Sequence, residues 1–121
     1  MLGIKESERK IYIRCGKSDM RKGIDGLALL VAEELGESAL FDHEAIFLFC
    51  GRKKDRFKTL VWEKDGFAMS YKRIDSGKLQ WPRDEEAGMI QIDEQGFRWL
   101  LEGLTLSQPK AIKEAKAGSI V

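Results

Sequence analysis

The feature that most constrains the fold is a stretch of three short runs rich in β-branched and aromatic residues. These runs cover residues 46–50, 56–64 and 67–74. Each is joined to the next by a short turn rich in charge or glycine, and Asp65-Gly66 is typical of a two-residue type I′ hairpin. The spacing predicts an antiparallel β-meander, and the first run is expected to be its central, fully buried strand.

The hairpin also predicts a register. With Asp65 and Gly66 as the loop, one side of the ribbon pairs Trp62 with Met69, Leu60 with Tyr71, and Lys58 with Arg73. A four-residue loop from Glu63 to Gly66 is the alternative, and it is expected to leave these inner pairs intact. If exposed, this side would suit single-stranded nucleic acid, with bases on the rings and phosphates on the cations. If buried, its middle is core beneath a helix, which we expect because an amphipathic helix needs a surface to pack on.

Further elements flank the meander. A strand at residues 11–15 precedes a helix that Ser18 or Asp19 can cap and that runs to about Leu35, followed by a connection at residues 37–44. Leu79, Trp81 and Pro82 are expected to close the meander at an edge, and residues 89–92 to add one more strand. Asp93 can cap a last helix whose apolar face is Phe97, Leu100, Leu101 and Leu104.

The predicted fold class is therefore α+β. We expect a single domain over residues 11–104, in which an antiparallel meander of four to five strands packs against one amphipathic helix, with a second short helix near the C-terminus. The polar segments 1–10 and 105–121 are predicted to be flexible.

Charge is patterned rather than in surplus. The 121 residues include 21 basic and 20 acidic side chains, but residues 52–83 contain ten basic and four acidic ones. Attraction to a polyanion would therefore come from this region rather than from net charge. The candidate nucleic-acid-binding residues there are Arg52, Lys53, Lys54, Arg56, Lys58, Lys72 and Arg73, which we expect to be solvent-exposed.

Two further candidates lie outside the meander. Arg21 and Lys22 would oppose the dipole of the predicted helix from its first turn, and a bound phosphate would relieve that conflict. Alternatively, both are simply long, solvated side chains. Trp99 projects away from the apolar stripe of the last helix and is either a partner contact or is covered by a neighbouring loop.

The sequence predicts no enzyme, cofactor or metal. His43 is the only histidine, and the aspartates fall mostly at turns and caps, where they have structural roles. Asp55, beside Arg56, is the one carboxylate worth testing. Cys15 and Cys50 are expected to be buried free thiols. With no leader and no apolar run long enough to span a bilayer, we expect a cytoplasmic protein without a membrane contact.

Several of these patterns together resemble a known family. The matching elements are Asp19-Met20-Arg21-Lys22-Gly23, Asp25-Gly26-Leu27, Asp55-Arg56, Lys58, Leu60, Trp62, Asp65-Gly66-Phe67, Tyr71-Lys72-Arg73, Gly77, Trp81-Pro82 and residues 100–104. They resemble the TnpB accessory proteins of insertion-sequence family sixty-six. Cys50 and Ala68 depart from that pattern, where an arginine and an aromatic residue would be expected.

The resemblance implies a bacterial mobile-element protein that assists a separate transposase. One hypothesis is a non-catalytic accessory protein that contacts the DNA backbone through the basic residues. The alternative is an adaptor that docks on the transposase, with the basic loop against an acidic surface and Trp99 or the C-terminal tail as an apolar anchor. The sequence leaves the oligomeric state open.

Overall fold

A computed structural model of the chain describes residues 9–106. Its elements, in chain order, are β1 (Lys10–Arg14), α1 (Ile24–Leu35), α2 (Glu37–Leu40), β2 (Ala45–Cys50), β3 (Arg56–Trp62), β4 (Phe67–Arg73), a 3₁₀ turn (Glu85–Ala87), β5 (Met89–Ile92) and α3 (Glu94–Leu101). The segments predicted to be flexible, 1–10 and 105–121, lie mostly outside the described residues. Within residues 9–106, no helix has both the length and the apolar character needed to cross a membrane.

The strands form one sheet in the order β4-β3-β2-β1-β5. Strands β1 and β2 are parallel, with Ile11 beside Ile46, and every other neighbouring pair is antiparallel. The α+β class is confirmed, but the prediction of a purely antiparallel sheet is wrong. The reason is the connection from β1 to β2, which carries α1 across the sheet and so returns the chain in the same direction.

Both faces of the sheet are covered. Helices α1 and α2 pack on one face, where Leu27 and Val31 join Phe47, Phe49 and Leu60 in a buried cluster. The opposite face is covered by the segment after β4 and by α3; its buried cluster contains Ile11, Ile13, Ile46, Leu48, Cys50, Phe57, Val61, Leu79, Trp81, Phe97 and Leu100. All six residues of β2 are buried, which confirms its central place.

Helix α1 begins later than predicted. Its N-cap is Gly23, and its first residue is Ile24. Ser18 and Asp19 therefore do not cap it: the Asp19 carboxylate accepts a hydrogen bond from the Arg21 amide at 3.0 Å, which closes a turn before the helix. The connection at residues 37–44 also contains α2, which was not predicted.

The β3–β4 hairpin has the four-residue loop from Glu63 to Gly66 rather than the two-residue one, and the expectation that this loop keeps the same inner pairs is wrong. Trp62 pairs with Phe67 and Leu60 with Met69, a shift of two residues from the predicted register. The loop is closed by a 2.8 Å bond from the Glu63 amide to the Gly66 carbonyl, and Lys64 takes a positive φ of 74°. Because the shift is even, each side chain keeps its predicted side of the ribbon.

Burial on that side only partly follows the prediction. Leu60 is fully buried beneath α1, but Met69 is 36% exposed and Tyr71 50% exposed. The helix covers the central strands and leaves most of β4 open. The expected core beneath the helix therefore includes Leu60 but not Met69 or Tyr71.

The predictions for the elements after β4 are confirmed in part. Leu79 and Trp81 are buried, but the segment that holds them is not a strand, so the predicted edge strand ending at Pro82 is wrong. Strand β5 is confirmed, and so is α3, whose cap Asp93 accepts a 2.7 Å bond from the Gly96 amide. Leu104 lies beyond the end of α3 and is exposed, so it does not extend the apolar face of that helix.

Candidate nucleic-acid interface

Two basic loops meet at the edge of the sheet that is formed by the carboxyl ends of β1 and β2. Because β1 and β2 are parallel, the chain leaves both strands at the same edge, which is where parallel sheets usually place their ligand sites. We call residues 15–23 the first basic loop and residues 51–55 the second basic loop. Strand β3 begins and β4 ends at this edge, where Arg56 pairs with Arg73. In the sequence, the cations of the first basic loop and those of the second are predicted as two separate candidate sites.

The two loops are in direct contact. The Ser18 amide donates a 2.8 Å bond to the carbonyl of Cys50, the last residue of β2. Gly51 lies so close to Met20 that a Cβ at residue 51 would come within 2.5 Å of the Met20 Cγ. The second basic loop is also held by a 2.8 Å hydrogen bond, which the Leu79 amide donates to the Lys54 carbonyl. Their relative position is therefore fixed by the fold.

Lys58 also joins the loops to the sheet. Its side chain is 8% exposed, and its ammonium donates to the carbonyl oxygens of Met20 at 2.7 Å and Lys22 at 2.9 Å. The ammonium also lies 5.9 Å from the centre of the Tyr71 ring. The expectation that Lys58 lies in solvent among the phosphate-binding cations is thus wrong. It supports the first basic loop from beneath.

A cleft of about 510 Å³ opens between the loops. It is lined by Ser18, Asp19, Met20, Arg21, Gly51, Arg52, Lys53 and Arg56. Four of the predicted cations, Arg21, Arg52, Lys53 and Arg56, are thus brought together around one opening. The predicted helix would place Arg21 in its first turn, but α1 begins three residues later, so the helix-dipole argument for Arg21 and Lys22 does not hold.

The two carboxylates of the loops are both engaged by arginine. Arg21 binds Asp19 through two nitrogens, at 3.0 and 3.1 Å, and lowers the Asp19 pKa to about 2. Arg56 binds Asp55 in the same way, at 2.9 and 3.2 Å, and lowers the Asp55 pKa. Both carboxylates therefore remain ionised at neutral pH and are already hydrogen-bonded.

The second basic loop supplies cations that have no such neighbour. Arg52 and Lys53 are exposed, and Lys54 is half-buried at a positive φ of 59°. Within residues 9–106, the side chains of these three residues form no ion pair or hydrogen bond. A phosphate can meet these three charges without displacing a carboxylate.

The last two predicted cations lie on β4. Arg73 is on the α1 side of the sheet and binds Asp75 at 2.9 Å, while Lys72 pairs with Phe57 and points to the other face. Lys72 is exposed but is not part of the cleft. The predicted cationic end of the sheet is therefore split between two faces.

Sequence reasoning missed Lys17 and Arg83 as site residues. A smaller cavity of about 240 Å³ beside the cleft is lined by Gly16, Lys17, Gly51, Arg52, Lys54, Trp81, Arg83 and Glu85. The side chain of Glu85 packs over Gly16, whose φ is +80°. Lys17 follows β1 directly, so a correct prediction of the parallel β1–β2 pair would have placed it beside the second basic loop.

The other candidates are placed as follows. Trp99 is half-buried on α3, so part of its ring remains accessible, while the predicted tail anchor falls outside the described residues. Cys15 and Cys50 are buried free thiols, as predicted, and burial raises the Cys50 pKa to about 11. His43 is exposed. Within residues 9–106, no cluster of three or more histidine, cysteine or acidic residues is arranged to hold a metal ion.

Comparison with known proteins identifies the family. A model of the family described as IS66 Orf2 like protein matches residues 9–111. The chain belongs to the IS66 Orf2-like family. The match covers both basic loops and all five strands, and it confirms the resemblance seen in the sequence.

Two relatives come from Sinorhizobium fredii strain NGR234. The uncharacterized protein y4hO is 33% identical over 101 residues, which cover 84% of this chain and 85% of the relative. The uncharacterized protein y4jC is 29% identical over 103 residues, covering 84% of each chain. No solved structure matches the chain. Membership in the IS66 Orf2-like family makes this an accessory protein of insertion-sequence transposition.

Proposed function

We propose that the chain serves transposition as a non-catalytic protein that binds the DNA backbone through the two basic loops. The observation that carries this proposal is their contact: the two basic loops together with Arg56 hold seven cations against two carboxylates, and both carboxylates are engaged by arginine. Phosphate contacts of this kind supply most non-specific DNA affinity.

The contacts are assigned to the cations that solvent can reach. Arg52, Lys53 and Lys54 bind phosphates directly, and Arg21 and Arg56 reach the same phosphates from across the cleft. Lys22, Lys72 and Arg73 extend the surface. With about four to six phosphate contacts, the logarithmic dependence of affinity on salt has a slope of roughly −4 to −5, and non-specific Kd values lie around 10⁻⁴ to 10⁻⁶ M.

The test is a fluorescence titration of labelled duplex at several salt concentrations. It uses the terminal sequence of the parent insertion element and a scrambled duplex. The variant Arg52→Ala/Lys53→Ala/Lys54→Ala should flatten the salt slope by about three, since each phosphate contact contributes about one. The matched control Lys10→Ala/Lys64→Ala/Arg98→Ala removes the same charge away from the loops and should keep the slope. If both variants lose the same amount of salt slope, the effect comes from net charge alone, and the assignment of the phosphate contacts to the second basic loop is refuted.

A second measurement on the same protein preparation distinguishes the adaptor role from DNA binding. In that alternative, the second basic loop meets an acidic surface of the transposase and Trp99 contributes its accessible part. Recovery of the transposase with the chain from nuclease-treated extract, together with no binding in the titration, would favour the adaptor over DNA binding.

A further inference from the structure

The outer edge of β4 is open. Strand β4 lies at one end of the sheet order, so only β3 pairs with it among the described residues. Edge strands are commonly blunted by proline, charge or a bulge, because an open edge can pair with another chain. From Phe67 to Tyr71 this strand carries neither proline nor charge. That run is a template for a further strand.

The direction of the backbone groups along β4 follows from two bonds at the ends of the ladder. The Glu63 amide donates to the Gly66 carbonyl, and the Ile74 amide donates to the Asp55 carbonyl. Because bonded and non-bonded pairs alternate in an antiparallel ladder, the even-numbered residues of β4 bond to β3. The amides and carbonyls of Phe67, Met69, Tyr71 and Arg73 therefore point outward, and within residues 9–106 no backbone hydrogen bond reaches them.

The side chains of the same residues form a stripe on the α1 side of the sheet. Met69 and Tyr71 are exposed, and Phe67 is half-buried against Trp62 and Phe41. The stripe and the open backbone thus share one strand, with Arg73 at one end and Asp65 in the loop beyond the other.

This strand is complementary to itself. In an antiparallel pair of two β4 strands centred on Met69, Phe67 of each copy faces Tyr71 of the other. The same pairing brings Arg73 of each copy, which binds Asp75 of its own chain, toward the hairpin loop of the other copy, which carries Asp65. A shift of two residues in either direction removes both aromatic pairs. Facing aromatic pairs stabilise an antiparallel ladder.

We propose that two copies of the chain pair through the outer edges of their β4 strands, antiparallel and with Met69 opposite Met69. The two sheets then form one continuous sheet of ten strands with a two-fold axis, an interface in which each copy contributes the same surface. Because the paired strands run in opposite directions, the basic loops of the two copies lie at opposite ends of the joined sheet. Where the proposed DNA binding holds, one dimer contacts two DNA segments.

Sedimentation velocity over a range of concentrations, without DNA, tests the pairing directly. The full chain should shift from the 13.8 kDa monomer to a species of twice that mass. Met69→Lys places two like charges at the centre and should raise the dimer Kd at least about tenfold. The matched control Leu29→Lys introduces the same charge at an exposed apolar residue of α1 and should leave the Kd unchanged.

Two further variants test the register. Asp65→Arg and Arg73→Asp should each weaken the dimer, and the double variant should restore it. Met69→Cys should cross-link to itself with a short bifunctional thiol reagent, since a bonded antiparallel pair sets the two Cα atoms about 5.5 Å apart. Leu29→Cys should not cross-link.

Four results would overturn the proposal, and three of them concern the full-length chain. These three are a chain that stays monomeric up to its solubility limit, a dimer that resists Met69→Lys, and a Met69→Cys protein that does not cross-link. A chain that dimerises only after removal of residues 107–121 would also contradict it, because its own C-terminal segment would then cover the edge. None of these outcomes depends on DNA, so the DNA-binding proposal stands or falls separately.

Discussion

The ammonium of Lys58 lies 2.7 Å from the carbonyl oxygen of Met20, a residue 38 positions earlier in the chain. This bond and its neighbour to Lys22 fasten the first basic loop to the sheet at the edge where the second basic loop emerges. A lysine that the sequence suggests is a ligand-binding cation thus positions other cations.

Replacing Lys58 should therefore destabilise the fold rather than simply reduce charge. Lys58→Met leaves two carbonyls without their partner, and we expect a loss of about 1–3 kcal/mol in the free energy of unfolding, measured by urea denaturation. Lys72→Met, at an exposed residue of β4, should change it by less than about 0.5 kcal/mol. Equal effects of the two substitutions would show that the Lys58 bonds contribute nothing.

The contact between Gly51 and Met20 predicts a coupled pair. Gly51→Ala introduces a Cβ where the Met20 side chain lies, and should cost about 1 kcal/mol of unfolding free energy. In a Met20→Ala background the same substitution should cost less, because the space is then free. Strictly additive losses in this double-mutant cycle would mean that the two loops do not touch.

The parallel pair of β1 and β2, which brings the loops together, was missed, although a strand, a helix and a second strand in this order are typical of a parallel pair. Alternating apolar residues indicate a strand but not the direction of its neighbour, so Ile11 and Ile13 gave no sign of their pairing with β2. The predicted start of α1 is wrong for a different reason. Asp19 is a good cap residue, but its carboxylate accepts a hydrogen bond from the Arg21 amide in a local turn.

Other elements were predictable because one local interaction decides them. Asp93 caps α3 as expected, and the fully apolar run of β2 is central as expected. The hairpin loop was misjudged because Lys64, a residue that seldom adopts positive φ, does so here and lengthens the loop by two residues. Most of the predicted cations do lie at one edge, but only the fold shows which of them are already bonded.

Asp19 offers a direct test of the ionic pairing in the cleft. Its pKa of about 2, held below the ordinary 3.8 by the hydrogen bonds from Arg21, should be measurable by NMR titration of the carboxyl carbon. A lowered pKa means that the contribution to stability is complete above pH 4 and is lost as the pH falls toward 2. Arg21→Ala should return the pKa toward 3.8, and an unchanged value would mean that the pair does not form in solution.

The buried thiol of Cys50 should give the stability of the fold the opposite pH dependence. Because burial raises its pKa to about 11 from 9.0, its contribution to stability is complete below pH 9 and is lost as the pH rises toward 11. At neutral pH we expect no alkylation of Cys50 or Cys15 by iodoacetamide in the folded protein, and complete alkylation in denaturant, read by mass spectrometry. Rapid alkylation of the folded chain would contradict the buried positions of both thiols.

The central claim is that the two basic loops act as one DNA-binding surface, and the salt dependence of binding tests it most directly. Arg21→Ala/Lys22→Ala in the first basic loop and Arg52→Ala/Lys53→Ala in the second should each flatten the slope of log Kd against log salt by about two on the same duplex. The combined variant should flatten it by about four. A slope that responds to the second loop but is unchanged by the first would contradict the shared surface.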